Sequence, residues 1–366
     1  MNIIQIVPRI PPVVDGVGDY AIKLADGLRK NYGILSHFLT CQDGFKPSPV
    51  INGFPVTQLP TQNTLAFLDS LPKSIDKIIL HYSESYDLKF GAPFWLLEAL
   101  KAARQQRNFK LLIMFHEFPH LNLWRKRSFE FPLQRFVAWR VAKLADIVLT
   151  NNSVYQNTLT RGLNSPVISI PVFSNIGESE YILPLNKRSR RLVVFGTSGR
   201  RWKIYKRAQA MLRNTCRLLE IEEIFDVGPS LNLKIPEIKG VRLVEMGEKS
   251  AQDISNLMLD SLAGIAYSNN NGHLAKSGVF ASYCAHGLVP VITQAKSSQA
   301  DGLESNKNFI FAGARSTSID ILTLENVANQ AHEWYRNHSL AKTVEVFASQ
   351  LLGNAFLQEI CSTASN

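Results

Sequence analysis

Short apolar runs alternate with helix-length amphipathic segments through the first half of the chain, and after one interruption the alternation starts again. An apolar run bounded by turn residues suits a strand buried on both faces of a parallel sheet, and each intervening helix must cross over that sheet to start the next strand. The first series reads as the strands "IIQIV", "ILSHFLT", "KIILHYS", "KLLIMFHE", "DIVLTNN" and "PVISIPV". Its helices carry Tyr20, Ala21, Leu24, Ala25 and Leu28 on one face, then "APFWLLEALKAARQQR", then a segment at about 131–145. Residues 173–190, "FSNIGESEYILPLNKRSR", break the pattern and read as a linker. The second series holds the strands "RLVVFG", "EIFDVG", "VRLVEMG", "LAGIAYS", "LVPVIT" and "NFIFA". Helices are predicted over about 203–219, over "AQDISNLML" and over about 277–286, and the chain is helical after residue 319. The fold class is therefore α/β: two doubly wound, Rossmann-like domains facing across a cleft, one over 1–172 and one over 191–340, with C-terminal helices at 341–366.

Composition narrows the classes. At 366 residues, 45% hydrophobic and 19% charged, the chain is ordinary globular material rather than a disordered one. Cys41, Cys216, Cys284 and Cys361 form no CxxC pair, which argues against a zinc site or disulfide scaffold and for a reducing compartment. "MNIIQIVPRI" lacks a basic leader, and no apolar run approaches a membrane span, so a cytoplasmic location is expected. The net charge of +10 is concentrated: residues 187–207 hold nine Lys or Arg and no acid. Such a field suits a polyphosphate, a nucleic acid or an anionic membrane. "LWRKRSFEFPLQRF", residues 123–136, mixes bulky apolar and basic groups as a membrane-facing helix does, although it also reads as an ordinary surface helix.

Reactive groups gather where strands end. Gly16-Val17-Gly18-Asp19-Tyr20-Ala21 formally satisfies G-x-G-x-x-A, but Pro8 to Asp15 separate it from its strand, which excludes a nicotinamide or flavin fingerprint. Phe115-His116-Glu117 follows a strand directly, and His116 there can orient a hydroxyl or meet a developing charge, whereas His81 reads as a structural histidine. In "FGTSGRRWKIYKR", Gly196 and Gly199 open a turn from which Arg200, Arg201, Lys203 and Lys206 can converge on a diphosphate. Lys276-Ser277-Gly278 reads as the start of a short helix, a ready cradle for the same group. No Asp-x-Asp pair occurs in the chain, so no metal site is expected.

These loops together resemble the GT-B glycosyltransferases, within them the family 4-like group, over nearly the whole chain. "PPVVDGVGDYAIKLADGL" is similar to that group's "PPxxGGxGxYxxxLAxxL", "FHE" to its histidine loop, and "HGLVPVI" to its "xGxPVV" strand. Arg201 and Lys206 have the spacing of the arginine and lysine that bind the donor diphosphate in the group. The resemblance implies transfer of a sugar from a nucleoside-diphosphate sugar, with retention and without metal, the nucleotide sugar being a co-substrate and no further cofactor being needed. Residue chemistry and resemblance together assign donor binding to Gly16, Gly18, Arg200, Arg201, Lys206, Lys276, Ser277 and Gly278, and catalysis to His116, Asp19 and Glu117. If the enzyme inverts, Asp19, Glu84 and Glu117 are the candidate bases. The acceptor would be a sugar, a lipid-linked or a small molecule lying near the Gly16–Asp19 loop, with no nucleic-acid partner and with peripheral membrane contact left open. The C-terminal helices would pack back on the N-terminal domain. One departure stands out: the group's Glu-x7-Glu is missing, because "AKSGVFASYCAHG" contains no acid. That keeps two alternatives in view, a GT-B epimerase or hydrolase and a catalytically silent nucleotide-sugar-binding protein.

Overall fold

The structure is a computed structural model that describes residues 1–353 apart from 14, 43–45, 88, 120–129, 233–234, 269–273, 294–299 and 316–317. The chain forms two compact units, Met1–Ile170 with Thr343–Asn366, and Pro171–Lys342.

The first unit runs β1 (Asn2–Val7), α1 (Gly16–Tyr32), β2 (Leu35–Thr40), β3 (Val50–Ile51), β4 (Phe54–Gln58), α2 (Thr64–Ser70) and β5 (Lys77–Tyr82). It continues with α3 (Phe94–Gln106), β6 (Lys110–Phe115), α4 (Phe131–Ala142), β7 (Ile147–Thr150), α5 (Ser153–Thr160) and β8 (Val167–Ser169). The sheet order is β3-β4-β2-β1-β5-β6-β7-β8, parallel except for the β3–β4 hairpin. Strand order therefore reverses between β1 and β5. The inner strands are buried on both faces, which is why they read as continuous apolar runs and not as alternating ones. Helix α1 ends where Gly33 takes a left-handed φ of 62° and returns its N–H to the carbonyls of Leu28 and Arg29.

The second unit contains β9 (Ser189–Phe195), α6 (Ser198–Arg207), α7 (Gln209–Leu218), β10 (Glu223–Val227), β11 (Arg242–Gly247) and α8 (Ala251–Leu259). It goes on through β12 (Ser261–Ala266), α9 (Gly278–Ala285), β13 (Val289–Ile292), β14 (Ile310–Phe311) and α10 (Ile321–Arg336). All its strands are parallel in the order β11-β10-β9-β12-β13-β14, so here the reversal falls between β9 and β12. The last helix, α11 (Leu340–Leu352), packs on the first unit: a Cβ on Gly27 of α1 would lie 2.4 Å from Val344. Lys110 donates to the Gln350 carbonyl at 2.8 Å and Lys77 to that of Leu351, so two cations close the carboxyl end of α11.

Three local readings change. The helix expected over 203–219 is two helices broken at Ala208, and the first begins earlier, at Ser198. The hairpin β3–β4 and the helices α2 and α5 are additional elements. Residues 173–190 are not a free linker. They belong to the second unit, with Phe173, Ser174 and Leu185 buried and the Arg188 guanidinium donating to the carbonyls of Leu183, Ser261 and His286. Cys41, Cys216 and Cys284 are buried free thiols, and Cys361 lies outside the described residues.

The reversal in the second sheet has a specific lock. The β9–β12 pairing ends at Val193 and Gly264, beyond which the strands diverge. The Tyr283 hydroxyl from α9 fills the gap, taking the Phe195 N–H at 3.2 Å and facing the carbonyls of Val193 and Ile265, each at 3.2 Å. Without it those backbone groups would be buried unpaired. The ring fits only because residue 264 is glycine: a Cβ there would come within 2.5 Å of it. Gly264→Ala is therefore expected to lower stability by about 1–3 kcal/mol, the usual cost of overpacking a filled core, in chemical denaturation. A loss below a few tenths would show that Tyr283 is not held against the strand.

Candidate active site

In doubly wound sheets ligands bind beyond the carboxyl ends of the strands where strand order reverses. Each unit has one such edge.

At the edge of the second unit, β9 is followed by the turn Gly196-Thr197 and α6, and β12 is followed by the segment leading to α9. A Cβ on Gly196, whose φ is 128°, would lie 3.2 Å from Val279, so the turn after β9 touches the first turn of α9. The two helix starts are thus neighbours. Ser277 caps α9 by accepting from the Phe280 N–H at 3.3 Å. Helix geometry leaves the amides of Gly278 and Val279, and those of Ser198 and Gly199 in α6, without intrahelical acceptors. Gly199 and Gly278 both face open space. Two positively polarised helix amino ends therefore lie side by side, an arrangement that favours an anion. Its cations differ in reach. Arg200 is exposed at the start of α6, and the Lys203 ammonium lies 5.6 Å over the Tyr267 ring, at the end of β12. Lys276 flanks the start of α9. Lys206 is exposed but sits about 12 Å along the helix axis from Ser198, at 1.5 Å per residue.

Arg201 does not take part in this cradle, contrary to the sequence reading. It is only 1% exposed, because it shares the core-facing stripe of α6 with Ile204 and Tyr205. Its Nε donates to the Gly196 carbonyl at 3.0 Å, one terminal nitrogen donates to Asp226 and the other to the Pro229 carbonyl. Tyr205 donates to the second Asp226 oxygen at 2.8 Å. Gly228 makes room for this: with φ 140°, its Cβ would stand 2.4 Å from the Gly196 oxygen and 3.0 Å from Arg201. The arginine braces the turn that forms the cradle. Asp226, Tyr205, Tyr283 and Gly228 escaped the sequence reading, although an acid between the apolar residues Phe225 and Val227 of "EIFDVG" signals a buried charge in need of a partner.

At the edge of the first unit, His116 follows β6, its N–H donating to the Tyr82 carbonyl and its carbonyl accepting from Asn151, both at 3.0 Å. Its Nε2 meets His81 Nδ1 at 3.0 Å, and His81 Nε2 meets Gln5 Oε1 at 2.8 Å. Gln5 in turn donates to Ser36 at 2.8 Å. Burial and the neighbouring His116 hold His81 well below the usual histidine pKa, so it is neutral. A neutral imidazole donates through one nitrogen and accepts through the other. In this orientation His81 donates to Gln5 and accepts from His116 Nε2–H. His81 is thus more than a structural histidine: it fixes the tautomer of His116. The Tyr20 ring closes over the pair, 4.8 Å from His116 edge-on.

The other candidates at this edge divide. Asp19 is half-buried in the first turn of α1, and its carboxyl is pushed up to about 6 by burial and then by Asp15, against the pull of Lys23. A carboxyl titrating there can exchange a proton near neutral pH. Burial also raises Asp15, opposed by Arg9, whose guanidinium lies 3.7 Å away. Glu117 accepts from the Glu84 N–H at 3.2 Å, so one of its oxygens fastens the turn after β5. Gly16 is exposed with open space where a side chain would be. Gly18 is not open to a ligand: a Cβ would lie 2.4 Å from the Arg9 carbonyl, so its glycine serves the packing of its own loop. Among the described residues there is no group of three or more His, Cys, Asp or Glu placed to hold a metal, and no helix long and apolar enough to cross a membrane. Of the mixed apolar and basic stretch 123–136, residues 123–129 lie outside the described residues.

No family model matches the chain, and no curated protein matches it. Solved structures do. An E. coli trehalose-6-phosphate protein bound with UDP-2-fluoro glucose superposes with a TM-score of 0.60 at 11% identity, over 96% of this chain and 99% of that one. The apo form of the lipopolysaccharide outer core galactosyltransferase WaaB gives 0.57 at 13% identity, over 96% and 99%. An alpha-glucosyltransferase in complex with UDP-glucose and DNA containing an abasic site gives 0.56 at 11% identity, over 92% and 95%. The likeness is one of fold: the chain has the two-parallel-sheet architecture of GT-B glycosyltransferases.

The bracing role of Arg201 separates it from the exposed cations. Arg201→Met is expected to destabilise the protein by about 3–5 kcal/mol in urea unfolding, because it leaves Asp226 buried and unpaired. Lys206→Ala should stay within about 0.5 kcal/mol of the parent. Equal, small effects would mean that the buried pair contributes nothing to the turn.

Proposed function

We propose that the protein transfers a glycosyl group from a nucleoside-diphosphate sugar to an acceptor. The observation that carries this reading is the pair of touching helix starts, α6 and α9, at the reversal of the second sheet. A diphosphate there would meet amides that lack intrahelical acceptors from both helices, with the cations Arg200, Lys203 and Lys276 beside them. Fixed donors of this kind stabilise the charge that grows on the leaving group as the sugar bond breaks. UDP-glucose in the alpha-glucosyltransferase structure and UDP-2-fluoro glucose in the E. coli one support a nucleotide-sugar donor here.

On the acceptor side, the reading assigns the sugar to His116, held in one tautomer by His81 and Gln5, and proton exchange with the acceptor to Asp19. Glu117 keeps a supporting part through the turn that it fastens. Retention, implied by the family 4-like resemblance, assigns deprotonation of the acceptor to the departing diphosphate, with Asp19 assisting. We further propose that the positive charge of the cradle takes the place of a divalent ion. The DNA in the alpha-glucosyltransferase structure belongs to that protein. For this chain the proposal is a sugar, lipid-linked or small-molecule acceptor.

Calorimetric titration with UDP, GDP and ADP tests the donor site directly. At least one should bind, and Lys203→Ala or Lys276→Ala should weaken it by about 1.5–3 kcal/mol, the worth of a charge-assisted hydrogen bond. Excess EDTA should leave the affinity unchanged. No binding by any of the three, or binding that needs magnesium or manganese, would overturn the cradle as drawn.

A further inference from the structure

The first unit carries an exposed aromatic and cationic face that neither the donor site nor the acceptor edge uses. Phe90 is 41% exposed, Phe94 40%, Leu133 44% and Phe136 53%, all large apolar side chains left in water. They form one patch. The Phe94 and Phe136 rings lie 6.4 Å apart, and Gln134 donates to the Phe90 carbonyl at 2.7 Å, tying the loop before α3 to the first turns of α4. Scattered single exposures are ordinary, but a contiguous set on two adjoining elements marks an interaction surface.

The exposed charge on α4 is positive. Helix α4, "FPLQRFVAWRVA", contains no acid, and Lys143 follows it. Arg135 lies over the Phe131 ring at 5.7 Å, Arg140 over Phe136 at 6.0 Å and Lys89 over Phe90 at 5.0 Å. Of the acids nearby, Asp87 accepts from the backbone of Lys89, Phe90 and Ala92, Glu98 pairs with Lys101 at 2.6 Å, Glu130 before α4 is buried, and Glu84 lies beside Gly91. Phenyl rings and leucine at the tip, with arginine and lysine beside them, are the composition of a surface that sits at the boundary between lipid headgroups and chains. The exposed rings of Phe90 and Phe136 each have a cation beside them, and a layer of phosphates over hydrocarbon matches that pairing of apolar and positive groups.

We propose that this face, Phe90, Phe94, Leu133 and Phe136 with Arg135 and Arg140, docks the protein on an anionic lipid bilayer. Phe90 and the start of α3 follow the carboxyl end of β5, and α4 lies in the crossover that leaves the carboxyl end of β6. Docking there brings the carboxyl edge that bears His116 and Asp19 towards the lipid. The proposal does not rest on glycosyl transfer and stands or falls separately from it.

Co-sedimentation of the full chain with vesicles tests it. Equal-part phosphatidylcholine–phosphatidylglycerol vesicles should retain the protein at low salt, and pure phosphatidylcholine should not. Arg135→Gln with Arg140→Gln should lower partitioning by about five-fold per charge. Leu133→Ser with Phe136→Ser should abolish retention even at low salt, with thermal unfolding confirming that this exposed pair leaves the fold intact. Failure of the parent to bind the anionic vesicles, or retention unmoved by both double variants, would overturn the proposal. So would a concentration-dependent dimer by light scattering that both pairs abolish, since a second copy would then be the occupant.

Discussion

A parallel sheet whose strand order reverses cannot keep its two central strands paired to their carboxyl ends, because the chain leaves them for opposite faces. In the second unit that constraint falls on β9 and β12, and the structure meets it with one hydroxyl. Tyr283 replaces the ladder after Val193 and Gly264, and in doing so fixes the start of α9 against the turn that begins α6. The cradle follows from this placement. The two helix amino ends lie side by side, and their first amides have no acceptor within their own helices.

Charge is divided between bracing and binding. Arg201 lies in the same basic run as Arg200, Lys203 and Lys206, yet its guanidinium is consumed by Asp226 and two carbonyls. Burying that pair costs desolvation, and the return is shape: the Gly196 turn and the Gly228 turn close round one planar group. The neighbouring cations keep their solvent and their field. In the first unit, the chain Ser36–Gln5–His81–His116 performs a comparable service for a neutral group, since it fixes His116 Nε2 as the donor to His81.

Much of this was legible in the residues. Doubly wound strands announce themselves as apolar runs alternating with amphipathic helices, and on that basis the strand ends before His116 and Gly196 and the helix start at Ser277 are legible. What escaped has a common cause. The spacing of Arg201 and Lys206 resembles a phosphate-binding pair, but spacing does not say which face of a helix a residue occupies. The helix begins at Ser198 and not near 203, and that shift turns Arg201 inward. Gly18 likewise fits a ligand-binding pattern, while its space is filled by the Arg9 carbonyl. His81 and Gln5 are far apart in sequence and meet only because β1 and β5 are adjacent in the sheet. The break at Ala208 and the packing of residues 173–190 leave no periodic signal.

If the adjoining helix starts of the second unit hold the donor diphosphate, a crystal structure with a bound nucleoside diphosphate will show phosphate oxygens within hydrogen-bonding distance of the amides of Ser198 or Gly199 and of Gly278 or Val279. The Arg201–Asp226 pair will be unbroken. A diphosphate ordered away from both helix starts, or one bound by Arg201 after release of Asp226, would contradict this assignment.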